Sequence, residues 1–355
     1  MCVADVERLA GERLPPDIWD FVAGGSGDES TQAANRACLD RVCLVPRVLT
    51  TAAEGSMAGR LVRSAVAMPV AVAPMAYQRL CHPDGEIAAA RAASKAGVPF
   101  TVSTLSSVPI EEIAAVAGPL WFQLYWLRDR GLVLDLVARA ERAGCEALMV
   151  TVDVPIMGRR LRDVRNEFVL PPSVVAANLV DGTGSAAHVP APRGSAVAAH
   201  TGAAFEAALG WDDLAWLREH TDLPVVLKGV LDPRDAVRAA ESGVAAVVVS
   251  NHGGRQLAGA VPSIVALPPV VEAVAGRCDV LLDSGIRTGT DVLRALACGA
   301  EGVLLGRPML WGLAADGEAG AGLVLDLLRV ELREAMLLAG CADLAAAREL
   351  STVLI

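Results

Sequence analysis

Short apolar runs recur along the chain and alternate with stretches in which apolar residues return every three or four positions. A short apolar run bounded by polar or glycine positions is typical of a buried strand, and the longer spacing is typical of a helix that buries one face. The strand-like runs are Pro69–Ala73, Pro99–Ser103, Leu120–Tyr125, Ala147–Asp153, Pro224–Lys228, Val244–Ser250, Val280–Ser284 and Gly302–Gly306. Between them, Gly85–Ala96, Val133–Ala143 and Asp235–Ser242 have the helical pattern.

The alternation of these strands with helices predicts an α/β fold in which parallel strands close into a (β/α)8 TIM barrel. We expect a single domain over residues 1–355, with an N-terminal helical segment at 1–65 and the barrel at 66–340. The long gap after the fourth strand is polar and rich in glycine, which predicts a lid loop at about 170–208. A doubly wound sheet is the alternative fold, and the absence of a GxGxxG motif after an early strand disfavours it.

Composition and charge narrow the function classes. Hydrophobic residues make up 53% of the chain. No stretch of about 18 apolar, uncharged residues is present, so no transmembrane helix is predicted. A net charge of −10 without a basic tract disfavours nucleic-acid binding. The N-terminus lacks a secretory signal, and the eight cysteines are scattered without a CxxC pair. This cysteine usage predicts a cytoplasmic protein without disulfides and without a metal site.

Polar side chains cluster where the predicted strands end. The carboxyl ends of barrel strands meet at one face, where barrel enzymes carry their active sites. The residues at these ends are Gln123, Tyr125, Thr151, Asp153, Lys228, Ser250, His252, Asp283, Arg287, Gly306 and Arg307. A hydrogen bond within the core can explain a polar residue at the end of one strand. Polar residues at the ends of six strands that meet at one face predict a site.

The segment 250–256, with the sequence SNHGGRQ, follows the sixth strand and carries the most informative chemistry. Histidine exchanges a proton near neutral pH, and arginine binds a carboxylate through two parallel hydrogen bonds. Glycines let the backbone turn sharply and approach a flat ligand closely. A base at His252 and a carboxylate-binding group at Arg255 therefore suit the removal of a proton from a small acid.

Two strand-to-helix turns and one lysine add further chemistry. The turns at Asp283–Arg287 and Gly306–Pro308 each lead into a helix and carry an arginine, which predicts a phosphate-binding corner. Lys228 ends the fifth strand, where the burial of an ammonium group requires a negative partner. This lysine can stabilise negative charge on a reduced flavin, or form a Schiff base with a carbonyl substrate as in an aldolase. Both uses, and a catalytically silent binding barrel, stay open at this point.

Seven segments together resemble the FMN-dependent 2-hydroxy-acid oxidases and dehydrogenases, the family of glycolate oxidase, lactate oxidase and mandelate dehydrogenase. The resemblance spans about Leu14 to Cys341 and rests on HPDGE (82–86), QLYW (123–126), TVDVP (151–155), GRRLRDVRN (158–166), LKG (227–229), SNHGGRQ (250–256) and GRP (306–308). Within the family, residues 73–78 and the loop 103–105 are most similar to 4-hydroxymandelate oxidases. The resemblance implies a barrel that binds FMN across its mouth.

The resemblance also implies a role for each matching residue. His252 would remove the substrate's proton, Asp153 would stabilise the imidazolium, and Tyr125 would hydrogen-bond the substrate. Arg255 and Arg160 would bind the substrate carboxylate. The FMN-binding residues would be Pro74, Met75, Ala76, Ser103, Gln123, Thr151, Lys228, Ser250, Asp283, Ser284, Gly285, Ile286, Arg287, Gly306 and Arg307.

Four positions depart from the family pattern. Phe21 stands where a second tyrosine contacts the carboxylate. Leu105 stands where short-chain oxidases carry a large aromatic residue, which leaves room for a bulky side group. Ser284 replaces a usual glycine and Ala258 a usual aspartate, so the local geometry at both positions is in question.

The implied activity is FMN-dependent oxidation of an (S)-2-hydroxy acid to the 2-oxo acid, with O2 reduced to hydrogen peroxide. Leu105, Tyr77 and the overall resemblance favour mandelate or 4-hydroxymandelate as the substrate. The alternatives are a short-chain lactate or glycolate oxidase, a dehydrogenase that passes electrons to another acceptor, and the aldolase. Ala76 favours the oxidase, because similar dehydrogenases tend to have glycine there. The implied partners are the small acid, O2 and further copies of the chain in a homotetramer, without nucleic acid or membrane.

Overall fold

The structure, a computed structural model, describes residues 1–52, 55–179, 185–188 and 195–355. Eight parallel strands form a closed barrel at its centre. The strands are Val70–Val72, Phe100–Ser103, Leu120–Leu124, Ala147–Thr151, Val225–Val230, Ala246–Val249, Asp279–Leu282 and Gly302–Leu305. They follow one another round the barrel in chain order, and the eighth strand pairs with the first. The predicted TIM barrel is therefore confirmed.

Both faces of the barrel strands are buried, which explains why the strands read as continuous apolar runs. Inward side chains such as Trp121 and Met149 fill the barrel interior, whereas outward ones such as Phe122 and Leu148 belong to the shell of the core. Each predicted run overlaps its strand, and the bounds differ by at most two residues. Local hydrophobic patterning is therefore enough to locate the strands.

Helices surround the barrel and follow most of its strands. From the first strand onward they are Gly85–Ala96, Ile110–Ala114, Arg130–Arg142, Leu161–Arg165, Ala196–Ala204, Trp211–Arg218, Pro233–Glu241, Ser263–Val274, Gly289–Ala297, Arg307–Leu338 and Leu344–Arg348. Short 3-10 helices lie at Gln78–Leu80, Ser185–His188 and His252–Gly254. The three predicted helices are confirmed, with bounds within three residues of those observed. Of the helices in the described residues, none has both the length and the apolar run needed to cross a membrane.

In the segment predicted to be helical, residues 1–65, the helices extend only as far as Asp40. Helices at Val3–Arg13, Pro16–Ala23 and Ser30–Asp40 are followed by short strands at Val42–Leu44, Gly59–Leu61 and Ser64–Val66. The first of these strands pairs antiparallel with a C-terminal strand at Thr352–Leu354. Local periodicity missed this strand because its partner lies at the other end of the chain.

The other two short strands form an antiparallel hairpin that covers the amino-terminal end of the barrel. Leu61 joins the cluster that fills the barrel interior. The indole nitrogen of Trp121 donates to Ser64 Oγ at 2.8 Å. The amide of Val62 donates to Oδ2 of Asp279, the residue that begins the seventh strand, at 3.0 Å. The hairpin closes this end, so a ligand approaches the barrel from the carboxyl ends of the strands.

The segment predicted as a lid loop, about 170–208, is only partly loop. Its residues 180–184 and 189–194 lie outside the described residues. The helix Ala196–Ala204 was not expected, because its small apolar residues are interrupted by His200 and Gly202 and hide the helical pattern. Just after this helix, Phe205 and Leu127 form an isolated antiparallel bridge, which places the end of the segment beside the third strand. The role of the segment as a lid stays a prediction.

Candidate active site

One cavity at the carboxyl ends of the barrel strands brings most of the predicted site residues together. Those that line it are Phe21, Pro74, Met75, Ala76, Leu105, Tyr125, Arg160, Lys228, His252, Arg255, Asp283, Ser284, Gly285, Ile286, Arg287, Gly306 and Arg307. The remaining predicted residues, Ser103, Gln123, Thr151, Asp153 and Ser250, are not part of its lining. The convergence expected from the strand ends is therefore present in the fold.

His252 lines this cavity and forms a hydrogen-bonded pair with Asp153, which lies outside the lining. Nδ1 of His252 lies 3.0 Å from Oδ1 of Asp153, which leaves Nε2 as the nitrogen that can take a proton. The backbone of His252 is left-handed, with φ of 59°, a conformation that costs about 1–3 kcal/mol at a residue other than glycine. Its amide donates to Ser250 Oγ at 3.0 Å, and this contact helps to hold the strained backbone.

Gly229 gives the carboxylate of Asp153 its room. The backbone of Gly229 has φ of 111°, and a Cβ at this position would lie 2.6 Å from both Cβ and Cγ of Asp153. A side chain here would therefore displace Asp153 from His252. This close approach explains why a glycine follows Lys228 at the end of the fifth strand.

Burial and neighbouring charges set the protonation of the pair. Burial lowers the pKa of His252 below its ordinary value, and Lys228 and Arg160 act in the same direction against Asp153. Burial raises the pKa of Asp153, but His252 and Lys228 outweigh it, so the pKa of this carboxyl lies below its ordinary value. Near neutral pH the pair is a neutral imidazole beside a carboxylate, which is the state that a general base needs.

A buried pair of amide side chains holds the loop that carries His252. Asn251 Nδ2 donates to Asn35 Oδ1 at 2.8 Å, and Asn35 Nδ2 donates back to Asn251 Oδ1 at 2.9 Å. Asn251 Oδ1 also accepts the amide of Gly254 at 3.0 Å. Gly254 has φ of 74°, and a Cβ there would lie 2.6 Å from the backbone nitrogen of Gln32. Sequence reasoning missed Asn35, which lies 216 residues from its partner.

Arg160 and Arg255 both line the cavity, and each lies in the electric field of the other. Arg255 donates to the carbonyl oxygen of Gly24 at 2.7 Å. Nε of Arg160 has no hydrogen-bond partner within the described part of the chain. Burial, together with the charge of Arg255, lowers the pKa of Arg160 to about 9. Two buried guanidinium groups, one of them with an unpaired donor among the described residues, are suited to bind a carboxylate.

Phe21 contacts one of these arginines with its ring. The guanidinium carbon of Arg255 lies 5.5 Å from the centre of the Phe21 ring, within the range of a cation–π interaction. The other ring partner of Phe21 is Phe168, which stacks on it with centroids 4.6 Å apart. Phe21 therefore supports Arg255 through its ring, without the hydroxyl of the usual tyrosine.

The N-terminal segment around Gly24 joins two of the site's loops. The carbonyl oxygen of Gly24 accepts hydrogen bonds from Arg255 at 2.7 Å and from Arg307 at 3.0 Å. Two residues further on, the amide of Ser26 donates to the carbonyl oxygen of Gly254 at 2.9 Å. The segment therefore ties the histidine loop to the turn after the eighth strand.

Lys228 is paired with a carboxylate inside the barrel. Its Nζ lies 3.1 Å from Oδ2 of Asp283 and donates to Ser250 Oγ at 3.1 Å. Burial acts to lower the pKa of Lys228, but Asp283 and Asp153 outweigh it and raise this pKa above its ordinary value. An amine must be neutral to attack a carbonyl, so the raised pKa argues against a Schiff-base aldolase.

Ser284 fits a backbone conformation that usually selects glycine. Its φ is 78°, in the left-handed region. Its Oγ donates to Oδ1 of Asp283 at 2.7 Å and accepts the amide of Gly253 at 2.9 Å. These hydrogen bonds offset the strain and connect the histidine loop to the carboxylate that pairs with Lys228. The departure from glycine is therefore compatible with the site.

Three predicted FMN-binding residues form a chain of hydrogen bonds between neighbouring strands. Ser103 Oγ donates to Oε1 of Gln123 at 3.2 Å, and Nε2 of Gln123 donates to Thr151 Oγ1 at 3.0 Å. All three side chains are buried. The chain fixes the orientation of the Gln123 amide at the strand ends, and direct contact of these residues with a cofactor stays a prediction.

Two arginines and two helix starts form a corner suited to a phosphate. Arg287 precedes the helix Gly289–Ala297, and Arg307 begins the helix Arg307–Leu338. Burial lowers the pKa of Arg287 to about 10, and burial together with Arg255 lowers the pKa of Arg307. Among the described residues, no carboxylate lies within 4.0 Å of either guanidinium, and Glu7 acts on both from a greater distance. Helix starts and unpaired arginines attract an anion.

Known proteins are similar to this chain over nearly its whole length. Residues 10–352 match the model of a family described as FMN-dependent dehydrogenase. The chain belongs to this family. It is 56% identical over 352 residues to a 4-hydroxymandelate oxidase of Amycolatopsis orientalis, and the match covers 99% of this chain and 98% of the relative. It is 48% identical over 346 residues to an L-lactate oxidase of Nostoc sp., and the match covers 96% of this chain and 94% of the relative.

A solved structure of the family matches the whole fold. It is the crystal structure of a mandelate oxidase with (S)-4-hydroxymandelic acid. The two structures agree with a TM-score of 0.97 at 56% sequence identity, and the match covers 99% of each chain.

FMN is the cofactor of an FMN-dependent dehydrogenase, and the residues of the cavity fit it. Arg287 and Arg307, which have no carboxylate within 4.0 Å in the described part of the chain, would hold the phosphate. Lys228 carries a positive charge at the barrel mouth, where it would stabilise negative charge on the flavin ring. The chain is thus an FMN-dependent oxidoreductase, and the contact made by each single residue stays a prediction.

Sequence reasoning missed several lining residues that follow the fourth strand. Phe205 stacks on Tyr125 with ring centroids 4.6 Å apart, so it helps to fix a predicted substrate-binding residue. Phe205 is one of only five phenylalanines in the chain and lies in the predicted lid loop. These two features could have identified it as a candidate site residue from the sequence. The missed lining residues of this stretch are Val154, Met157, Val197, Thr201 and Phe205.

The lowered pKa of His252 predicts the acid limb of the pH profile. A base acts only when it is unprotonated, so kcat/KM should fall as the pH drops through the pKa of His252. Because burial lowers that pKa, the midpoint should lie below the ordinary histidine value of about 6.5. The measurement is kcat/KM of the FMN-loaded protein across this pH range, and a midpoint at or above the ordinary value would contradict the expectation.

Proposed function

We propose that this protein oxidises an (S)-2-hydroxy acid to the 2-oxo acid with FMN as the electron acceptor, and that O2 reoxidises the flavin and yields hydrogen peroxide. The observation that carries the proposal is the convergence of a neutral His252, paired with Asp153, and two buried arginines in one cavity. A base and a carboxylate-binding pair at one place match the two functional groups of a 2-hydroxy acid.

Each step follows from the residues of the cavity. Arg160 and Arg255 would bind the substrate carboxylate, and Tyr125 would donate a hydrogen bond to the substrate. Nε2 of His252 would take the proton that leaves the substrate, and Asp153, at 3.0 Å from Nδ1, would stabilise the imidazolium. Bound FMN supplies the acceptor for the two electrons that leave the substrate.

We also propose an aromatic side group on the substrate, as in mandelate or 4-hydroxymandelate. Leu105 lines the cavity with an aliphatic side chain where a large aromatic residue would fill space. Tyr125 and Phe205 add flat apolar surface to the same cavity. A relative with 56% identity is named for 4-hydroxymandelate, whereas one with 48% identity is named for L-lactate, and the latter sets the alternative.

A panel of substrates tests the proposed function directly. The purified protein, loaded with FMN, is given glycolate, lactate, mandelate and 4-hydroxymandelate as separate enantiomers, and oxygen uptake and peroxide are measured. We expect turnover of the (S)-aryl acids with one peroxide formed per oxygen consumed. Flavin reduction without oxygen uptake would show a dehydrogenase, and faster turnover of lactate or glycolate would show a short-chain oxidase.

The substitution Leu105→Trp should shift the preference toward short acids. An indole would fill the space that we assign to the aryl group, and overpacking costs about 1–3 kcal/mol. The efficiency on mandelate should fall roughly ten- to a hundred-fold, while that on lactate stays the same or rises. The ratio of the two efficiencies is the measurement, with the volume-conserving Leu105→Met as the matched control. An unchanged ratio in Leu105→Trp would mean that this residue does not set the size preference.

The assembly and the location of the protein stay predictions. Exposed apolar side chains occur near the C-terminus, among them Leu338 and Leu354, with 81% and 61% exposure. Leu49 is 98% exposed, and the amide of its neighbour Arg47 donates to the carbonyl oxygen of Ala339 at 3.0 Å. The homotetramer that the family resemblance implies would bury some of these side chains. The cytoplasmic location rests on the sequence alone.

A further inference from the structure

The carboxylate of Asp163 is buried without hydrogen bonds among the described residues. Its side chain is 2% exposed, and neither of its oxygens has a hydrogen-bond partner in the part of the chain that the structure describes. A buried carboxylate is costly unless opposite charge lies close to it. The helix that carries it, Leu161–Arg165, is a single short turn that begins directly after Arg160. The position of Asp163 therefore calls for an explanation beyond the stability of this helix.

The charges around Asp163 are those of the proposed carboxylate-binding pair. Oδ2 of Asp163 lies 4.0 Å from a guanidinium nitrogen of Arg160. Arg255 and Arg160 both act to lower the pKa of Asp163, although burial outweighs them, and Asp163 acts in return to raise the pKa of each arginine. The neighbouring Arg162 is already matched, because it lies 3.1 Å from Asp20 and 2.6 Å from Glu29.

The three buried groups leave one net charge for the ligand. Arg160 and Arg255 each carry one positive charge, and an ionised Asp163 carries one negative charge. The charge of Arg307 also acts on both arginines, but we assign it to the phosphate of FMN. Among the described residues, no further carboxylate lies within 4.0 Å of either arginine. A single ligand carboxylate therefore neutralises the net positive charge of Arg160, Arg255 and Asp163. A second ligand carboxylate would add an uncompensated negative charge in a buried site.

We propose that Asp163 is a positioning residue that cancels half the charge of the Arg160–Arg255 pair, so that the site selects monocarboxylates over dicarboxylates. The inference rests on the carboxylate-binding role proposed above for the two arginines. Asp163 acts through them, since its carboxylate is buried and is not part of the cavity lining. In its absence the pair carries two uncompensated charges and gains affinity for a dianion.

The experiment compares two inhibitors of equal carbon number, propionate and malonate, at about pH 8, where malonate is a dianion. Their inhibition constants against the 2-hydroxy acid, and the change that each causes in flavin absorbance, are measured with the FMN-loaded protein. In the wild type, propionate should bind more tightly than malonate. In Asp163→Asn, the ratio of malonate affinity to propionate affinity should rise at least about tenfold, the size expected for one nearby charge in a buried site.

Controls separate charge from structure. Asp20→Asn removes a nearby carboxylate that pairs with Arg162, and it should leave the ratio unchanged. Asp163→Glu keeps the charge and should preserve the wild-type ratio even if both affinities fall. Asp163→Ser is a second neutral variant, smaller than asparagine, for the case that Asp163→Asn does not fold.

The outcomes are distinct. A ratio that stays constant in the neutral variants, while both affinities fall together, would show a purely structural role and overturn the inference. A wild type that binds malonate more tightly than propionate would overturn it without any variant. A wild type that binds neither acid in competition with the substrate would instead overturn the proposed carboxylate binding on which the inference depends.

Discussion

The substitution His252→Ala is expected to leave FMN bound and to lower the rate of flavin reduction by the substrate about 10²–10⁴-fold, the usual range for the loss of a general base. Such a loss corresponds to about 3–5 kcal/mol of transition-state stabilisation. The reason is that His252, held neutral by burial and oriented by Asp153 at 3.0 Å, is the one histidine among the described lining residues of the cavity. Stopped-flow absorbance of the anaerobic protein, mixed with the substrate, measures the rate.

Two further variants make this result interpretable. His252→Gln keeps a polar side chain of similar size without a basic nitrogen, so it should be as slow as His252→Ala. His220→Ala removes a histidine that packs on Trp216 outside the cavity, and it should reduce its flavin at the wild-type rate. Near-normal reduction in His252→Ala would show that another group takes the proton.

The substitution Arg255→Lys should lower kcat/KM about ten- to a hundred-fold although it keeps the charge. An ammonium group cannot form the two parallel hydrogen bonds that a guanidinium makes with a carboxylate. A hydrogen bond to a charged group contributes roughly 1.5–3 kcal/mol, which sets the expected size. The lysine would also lose the support of the Phe21 ring, at 5.5 Å from the guanidinium carbon, and the hydrogen bond to Gly24.

A matched control exists for this substitution elsewhere on the molecule. The guanidinium of Arg238 lies 4.8 Å from the centre of the Trp211 ring, and this arginine does not line the cavity. Arg238→Lys should therefore keep wild-type kinetics on the same acids. If Arg255→Lys has the same efficiency as the wild type on every acid of the panel, Arg255 does not bind the substrate carboxylate.

The sequence alone was sufficient for the barrel because strand patterning is local. Strands that are buried on both faces must be apolar at nearly every position, so each one is visible in a window of a few residues. Polar residues at the carboxyl ends, such as Lys228 and His252, are then placed at one face by the geometry of the barrel. The site was predictable to the extent that its residues belong to strand ends.

The residues that were missed depend on contacts between distant parts of the chain. Asn35 pairs with Asn251, which lies 216 residues away in the sequence. No local sequence pattern at either residue indicates that the two side chains are in contact. Phe205 reaches Tyr125 only because the segment after the fourth strand returns to the barrel mouth. The strand Val42–Leu44 was lost for the same reason, because its hydrogen bonds go to the C-terminus.

The contacts of Gly24 have a consequence for the newly made chain on the ribosome. The carbonyl oxygen of Gly24 can accept its hydrogen bonds only after Arg255 and Arg307 are synthesised, 231 and 283 residues later. At about 5–20 residues per second, the second interval lasts roughly 15–60 s. During that time the first helices have left the ribosome without the surface on which they dock. The full set of these contacts can therefore form only after Arg307, which follows the eighth strand, is made. We expect a chain interrupted before that strand to be inactive.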